Sequence, residues 1–234
     1  MSNIKVNIIQ GSEKAYPAAD INIVIDVIRA FTVSHIAFLK EVREIFLVNT
    51  IEEAFILRKG NPSYLLAGEV GGLPIENFDL DNSPHTFINA AIANKSLVQK
   101  TSNGVKATLR ALNAQTILVT GLSNARRTAL YAKNLSATKN PFAINIIASH
   151  AGDDDDLACA EYIRDILLEL NQLNIDSIRA RIRHSRPAQK FFDTANIDFN
   201  PKDIDYCLQE IECNFVMVVD KRLVLPRIVK QVIV

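Results

Sequence analysis

Short runs of β-branched and aliphatic residues recur along the chain, each closed by polar punctuation and followed by a stretch of helical periodicity. The first run is Ile4–Ile9. The next, Ile21-Asn22-Ile23-Val24-Ile25, ends at Asp26 and leads into a helix expected from about Arg29 to Lys40. Ile45–Val48 runs into Asn49-Thr50-Ile51-Glu52-Glu53, where Thr50 followed three residues later by Glu53 reads as a capping box. Leu65-Leu66-Ala67 leads to Gly68-Glu69, and Ser96–Val98 to Thr101-Ser102-Asn103-Gly104. Thr116–Val119 leads to Gly121-Leu122-Ser123-Asn124 and a helix reaching Leu135. Ile144–Ala148 precedes Ser149-His150-Ala151-Gly152 and a helix to about Leu170, with Leu157, Ala160, Ile163, Leu167 and Leu170 on one face.

Apolar runs alternating with helices of this length imply parallel strands joined by crossovers. Because the runs do not alternate strictly with polar residues, both faces of the sheet are expected to be covered. The expected fold is α/β, a predominantly parallel sheet with helices on both faces, in one domain over residues 1–234. From about Asn171 the pattern is less regular, and a smaller C-terminal lobe beginning there is the alternative. That part is expected to hold helices Pro187–Thr194 and Asp203–Cys213 and a last strand, Phe215–Val219. The longest loop, Gly68 to Asn82, is rich in Gly, Asp and Asn.

A chain of 234 residues with 48% hydrophobic content buries a substantial core. Lys+Arg 26 against Asp+Glu 26 leaves no net charge, which argues against a dedicated nucleic-acid or anionic-membrane binder. The local basic patch of Arg179, Arg181, Arg183, His184 and Arg186 reads as a solvated face. Cys159, Cys207 and Cys213 form neither a disulfide framework nor a zinc-type pairing, a usage that suits a reducing compartment. Met1 to Gln10 shows no leader pattern, and no apolar stretch reaches the ~20 residues of a bilayer span. The expected location is cytoplasmic.

The polar residues that carry chemistry follow strands. Asp26, Glu69, Thr101-Ser102-Asn103-Gly104, Gly121-Leu122-Ser123-Asn124 and His150-Ala151-Gly152 all stand just after one. In an open parallel sheet such loops share the edge where ligands bind. Asp26 with Arg29 three residues on suits a cation beside a phosphate, although Asp26 capping the next helix explains it equally well. Glu69 sits among glycines that allow close approach, or that simply turn the chain. Asp79, Asp81 and Asn82 crowd a helix start expected at Ser83-Pro84, and hard oxygen ligands of this kind suit Mg²⁺. Thr101, Ser102, Asn103 and Gly104, with Ser123 and Asn124, are helix-opening residues. Singly they are caps; together they suggest an anion cradle for a phosphate or sulfonate. Of the acidic run Asp153–Asp156, some members are explained by the helix dipole, and one or two are candidates for metal binding or proton transfer. No Gly-x-Ser-x-Gly and no P-loop is present.

In this order, Asp26-Val27-Ile28-Arg29-Ala30, Ala67-Gly68-Glu69, Phe78-Asp79-Leu80 with Asn82-Ser83-Pro84, Asn103-Gly104 and Gly121 with Ser123-Asn124-Ala125 resemble the 2-phosphosulfolactate phosphatase family. The resemblance implies an Mg²⁺-dependent enzyme that releases phosphate from (R)-2-phospho-3-sulfolactate on the route to coenzyme M. It further implies a small anionic phosphorylated substrate and a homo-oligomer. Asp26, Arg29, Glu69 and Asp79 are then the candidate catalytic residues. Asn82, Thr101, Ser102, Asn103, Gly104, Ser123 and Asn124 are candidates for substrate binding, and Asp26, Glu69, Asp79 and Asp156 for the metal. The chain departs from the family pattern at Phe31-Thr32, at Val70 where an arginine is usual, at Asp81, and in the shortened loop Ala151–Asp156. Loss of a cation at Val70 makes a changed substrate the main alternative, and a metabolite binder without turnover the second. Ile28 stands where haloacid-dehalogenase chemistry needs a second acid, so attack by water is favoured over phosphorylation of Asp26.

Overall fold

The computed structural model describes residues 4–11, 15–137, 140–222 and 224–233. Met1–Asn3, part of the stretch read for a leader, lie outside the described residues. The elements in chain order are β1 (Ile4–Gln10), β2 (Ile21–Ile25), α1 (Ala30–Leu39), β3 (Glu44–Leu47), α2 (Ile51–Gly60), β4 (Leu65–Val70) and β5 (Leu73–Pro74). There follow α3 (Pro84–Asn89), β6 (Ser96–Lys100), α4 (Gly104–Arg110), β7 (Thr116–Thr120), α5 (Ala125–Ser136), β8 (Phe142–Ala148) and α6 (Asp154–Leu168). The chain closes with α7 (Ile175–His184), α8 (Arg186–Gln189), α9 (Lys202–Cys207), β9 (Phe215–Asp220) and β10 (Arg227–Val232). The expected α/β class is the observed one.

Local signals set several boundaries. The Thr50 hydroxyl accepts from the Glu53 N–H at 3.1 Å while the Glu53 carboxylate accepts from the Thr50 N–H at 3.3 Å, the reciprocal box that starts α2. Ser83 accepts from the Thr86 N–H at 3.2 Å, and Pro84 opens α3. Gly68 has φ +148 in β4, and a Cβ there would lie 1.9 Å from the Lys100 carbonyl oxygen of β6, so glycine is required for the two strands to pack.

The ten strands form one mixed sheet in the order β1-β8-β2-β7-β9-β10-β3-β6-β4-β5. β1, β8, β2 and β7 run parallel, as do β3, β6 and β4. Between these runs β7, β9, β10 and β3 alternate in direction, so the two parallel runs point opposite ways. Twist of about 20–25° per strand turns the sheet through on the order of 120–150° over the six steps from β2 to β4. Opposed strand directions are thereby rotated toward one another, and the carboxyl ends of both runs reach the same cleft.

The sheet wraps α1. Ala30 to Phe38 are all buried, as a helix apolar all round must be, and residues of β2, β3, β4, β6, β7, β8, β9 and β10 gather about it. On the opposite face α5, α6 and α7 cover β2, β7 and β8, and Ala54 and Leu57 of α2 pack against Phe46, Leu66 and Val98. The stretch after Asn171 supplies β9 and β10, which lie in the middle of the sheet.

The basic residues lie on and just after α7, whose Ile178 and Ile182 are buried; Arg183, His184 and Arg186 are exposed as expected, while Arg181 pairs with Asp154 and Glu161 of α6. Two expectations for this stretch are corrected. The helix expected over Pro187–Thr194 is the four-residue α8. The one expected over Asp203–Cys213 ends at Cys207, after which the Ile211 N–H bonds the Ser123 carbonyl at 2.9 Å and draws the chain away. The three cysteines are unpaired. Among the described residues no helix is long and apolar enough to cross a membrane.

Candidate active site

Asp26 after β2, Glu69 in β4, Ser102 and Asn103 after β6, and Ser149 after β8 line one cleft of about 530 Å³. Asp153, Asp155 and Asp156 at the start of α6, with Arg186, Lys190, Phe191 and Phe199, are also part of its lining.

Asp26 fills both of the roles weighed for it. Its Oδ1 accepts from the Ala30 N–H at 2.9 Å and its main-chain oxygen from the Phe31 N–H at 3.1 Å, which starts α1. Its Oδ2 lies 3.5 Å from the Ser149 hydroxyl. That hydroxyl also donates to Asp156 Oδ2 at 2.9 Å, so one side chain bridges the two carboxylates. A Cβ on Gly104 would lie 2.7 Å from Asp26 Oδ2, so only glycine lets α4 begin here. Asp156 also accepts from the Val27 N–H at 2.8 Å and the His150 N–H at 3.3 Å.

Two buried oxygens in this corner, Asp155 Oδ1 and Asn82 Oδ1, have no hydrogen-bond partner among the described residues. A buried polar atom left without a partner is costly, which marks a place built for something else. Burial, the N–H groups of Ala30 and Gly104, and the Glu69 charge leave Asp26 titrating at about 6. Burial, then the Asp26 charge, lifts Asp155 to about 7. Burial, then Asp155 and Asp26, pushes Asp156 well up. Three buried carboxylates, each raised by desolvation and a neighbouring negative charge, form a site with too much negative charge for its burial.

Arg29 stands opposite. Its side chain is 5% exposed, donating from Nη1 to Asp203 at 2.8 Å and from Nη2 to the Gly72 carbonyl at 2.8 Å. The Phe191 and Phe199 rings flank the guanidinium at 5.0 and 5.8 Å. Asp203 is itself held by the Ser83 hydroxyl at 2.6 Å and the His85 N–H at 3.1 Å. Glu69 is engaged at both oxygens: Oε2 accepts from the Gly72 N–H at 2.6 Å and the Ser102 hydroxyl at 3.0 Å, and Oε1 from the Ser102 N–H at 2.5 Å. Its carboxylate joins the β4–β5 turn to the β6–α4 junction.

The structure thus brings Asp26, Arg29, Glu69, Asn82, Ser102, Asn103 and Asp156 to one cleft, with Gly104 behind Asp26. It does not bring Asp79 there. That carboxylate accepts from the Leu66 N–H at 2.7 Å and pairs with Arg58 of α2, tying the long loop to β4. Thr101 is buried beneath the junction, accepting from the Val105 N–H at 3.1 Å as a helix cap. Ser123 and Asn124 open onto a separate cavity with Arg126, Arg127 and Arg179. Their side chains bond inward, Ser123 Oγ to His35 Nδ1 at 2.9 Å and Asn124 Oδ1 to the Thr120 hydroxyl at 2.9 Å. Val70 is about half exposed and outside the cleft lining, paired with Leu73 in the β4–β5 hairpin.

Sequence reasoning missed Asp203, Phe191, Phe199 and Lys190, and read Arg186 as surface charge. Only the cluster of basic residues near α8 offered a signal. Asp203 pairs with an arginine 174 residues away, which no local pattern announces.

A model of the family described as 2-phosphosulpholactate phosphatase matches residues 7–222. A Bacillus subtilis (strain 168) protein named probable 2-phosphosulfolactate phosphatase is 48% identical over 228 residues, 97% of this chain and 99% of that one. A protein of the same name from Caldicellulosiruptor saccharolyticus is 36% identical over 150 residues, 63% of this chain and 62% of its own length. Another from Carboxydothermus hydrogenoformans is 27% identical over 220 residues, 87% of this chain and 88% of its own. With these relatives, the acidic cleft facing a clamped arginine at the strand ends of an α/β sheet is that of a phosphoric monoester hydrolase. The chain belongs to the 2-phosphosulfolactate phosphatase family.

Proposed function

We propose that the protein hydrolyses (R)-2-phospho-3-sulfolactate to 3-sulfolactate and phosphate, with Mg²⁺ as its metal. The observation that carries this reading is the opposition of a clamped arginine to a buried carboxylate cluster with an unpartnered oxygen. The residues suit an open Mg²⁺ site. Among the described residues no group of three or more His, Cys, Asp or Glu side chains is placed to hold a metal ion, so two carboxylates at most would ligate it here. Mg²⁺ is usually held by one or two carboxylates and keeps several waters and phosphate oxygens. Asp26 and Asp156, bridged by the Ser149 hydroxyl, would hold it, and its charge would answer the repulsion in that corner. When bound, it supplies Lewis-acid polarisation of the phosphoryl oxygens. Asp79 is left out of the ligand set because it lies outside the cleft lining, and Glu69 because both its oxygens turn to Gly72 and Ser102, with no hydrogen bond linking it to the Asp26–Asp156 pair.

The chain's own residues do the rest. Two of the N–H bonds of Arg29 fix its place, and the others meet the oxygens of the transferring phosphoryl group. Asn103 lines the cleft without a side-chain cap bond, so its amide is available to a third oxygen. Asp155, which lines the cleft with its Oδ1 free of any hydrogen-bond partner among the described residues, takes the proton of the attacking water at that oxygen. The new bond joins the water oxygen to phosphorus as the bond from phosphorus to the substrate's C2 oxygen breaks, and that oxygen takes up a proton from solvent.

Phosphate release from a panel of esters tests the reading. The panel comprises 2-phosphosulfolactate, 2-phospholactate and a nucleoside monophosphate, with Mg²⁺ and after chelation by EDTA. Release from the small acids, lost in EDTA and restored by Mg²⁺, is expected. Full activity in EDTA removes the metal, and no release from either small acid removes the reaction.

A further inference from the structure

The proposed substrate carries a carboxylate and a sulfonate besides its phosphate, and the cleft must answer their charge. Position 70, where a cation was sought, holds a valine outside the cleft. Three cations do line it: Arg29, Arg186 and Lys190. Arg29 is paired with Asp203. Arg186 places its fork on Asp153 at 2.9 and 3.0 Å. Lys190 differs from both. It is exposed at the cleft wall just after α8, and among the described residues its side chain makes no hydrogen bond or ion pair. Its neighbour in the chain is Phe191, whose ring stacks on the Arg29 guanidinium, so Lys190 is anchored beside the proposed phosphoryl-binding arginine.

We infer that Lys190 binds the sulfonate of the substrate and sets the preference for it. The chemistry of the two acid groups decides between them. A planar carboxylate is matched by an arginine fork, whereas a lysine ammonium is a compact charge with three rotatable donors. A compact ammonium can donate to whichever of the three equivalent sulfonate oxygens faces it, with no planar match required. The remaining charge of the cleft reinforces the assignment. Asp26, Glu69, Asp153, Asp155 and Asp156 all line it, so a polyanion finds few places away from the metal corner where it is not repelled. The wall of Arg29, Phe191 and Lys190 is one of them.

This inference rests on the phosphatase reading above, and the experiment separates the two. kcat and KM are measured at fixed ionic strength for 2-phosphosulfolactate and for 2-phospholactate, which has hydrogen in place of the sulfonate group. Wild type, Lys190→Gln and Lys190→Arg are compared. A charge-assisted contact of this kind is worth about tenfold or more in discrimination. The wild type is expected to prefer the sulfonate, and Lys190→Gln to lower the ratio of kcat/KM values by about tenfold, chiefly through KM. Lys190→Arg is expected to restore part of the ratio. A ratio unchanged in Lys190→Gln, or a wild type with no preference, overturns the Lys190 assignment and leaves the phosphatase reading standing. A wild type that hydrolyses neither compound overturns that reading and this inference with it. Lys190 is exposed, so unchanged melting of the variants is expected and excludes a folding effect.

Discussion

The junction after β6 and the junction after β7 both set small hydroxyl and amide side chains at the start of a helix, and they end in opposite surroundings. At Ser102-Asn103-Gly104 the chain opens on the cleft, Asn103 makes no side-chain cap bond, and the carboxylates facing it include an oxygen with no partner. At Ser123-Asn124 the side chains are buried and turned inward, onto His35, Thr120, Gly121 and Thr128. Residue type does not make an anion cradle. What matters is hydrogen-bonding capacity left over after the fold has been satisfied.

The sharpest test of that contrast is Asp26→Asn. The amide oxygen still accepts from Ala30, so the fold survives with little change in melting temperature. Turnover is expected to fall on the order of 10⁴-fold, as for loss of a central catalytic group. Near-wild-type kcat with 2-phosphosulfolactate would leave Asp26 as the cap of α1 alone.

Arg29→Lys keeps the charge and loses the fork between Asp203 and Gly72. A loss of about 10²–10³ in kcat is expected, the scale of removing a donor to developing charge. Asp203→Asn should reproduce much of that loss while also destabilising the protein by about 3 kcal/mol, because it uncovers a buried charge. Wild-type kinetics in both variants would make the pair purely structural.

On the β7 side the expected effects fall on stability. His35 is buried against Phe215 and Ser123, and burial lowers its titration from 6.5 to about 4. A folded value below the unfolded one means that the unfolded chain binds the proton first as pH falls. Its stabilising contribution is therefore full above about 6.5 and lost as pH falls through about 4, a difference of about 3 kcal/mol. Asp26 and Asp155, raised to about 6 and about 7, act in the opposite sense, gaining stability as pH falls. Urea midpoints of wild type and His35→Gln between pH 7 and pH 4 isolate the histidine, and parallel curves would show that it does not titrate.

The smallest effect is expected of Ser123→Ala. It removes the bond to His35 and should cost about 1–2 kcal/mol in urea unfolding. kcat/KM for 2-phosphosulfolactate should be unchanged, since Ser123 lies outside the cleft lining. A tenfold drop in kcat/KM without a stability change would return the β7 junction to the site.

Much of the site was legible in the sequence because its chemistry sits at strand ends that apolar runs announce. Asp26, Glu69, Ser102, Asn103 and Asp156 follow such runs, and all five line the cleft. Asp79 was chosen on another ground, the cluster of hard oxygens before the Ser83-Pro84 helix start, and it went elsewhere, held by Arg58 and the Leu66 N–H outside the cleft lining. Neither partner is visible at helix or strand spacing, being 21 and 13 residues distant in the chain. β10 was overlooked because Arg227, Lys230 and Gln231 break its apolar pattern.

What the sequence determined alone was whatever depends on neighbours within a turn or along one strand. The Thr50–Glu53 box, the Ser83-Pro84 helix start and the alternation of strands with helices need only local geometry. The tertiary structure alone decided which polar groups remained free. The path of the sheet set that outcome, by inserting β9 and β10 between the two parallel runs, reversing one against the other, and twisting their carboxyl ends onto a common cleft. It also carried Asp203, Phe191 and Phe199 to Arg29 across more than half the chain. A carboxylate acts as a cap, a loop tie or a ligand according to which donors reach it first, and across such separations that depends on the folded path of the backbone.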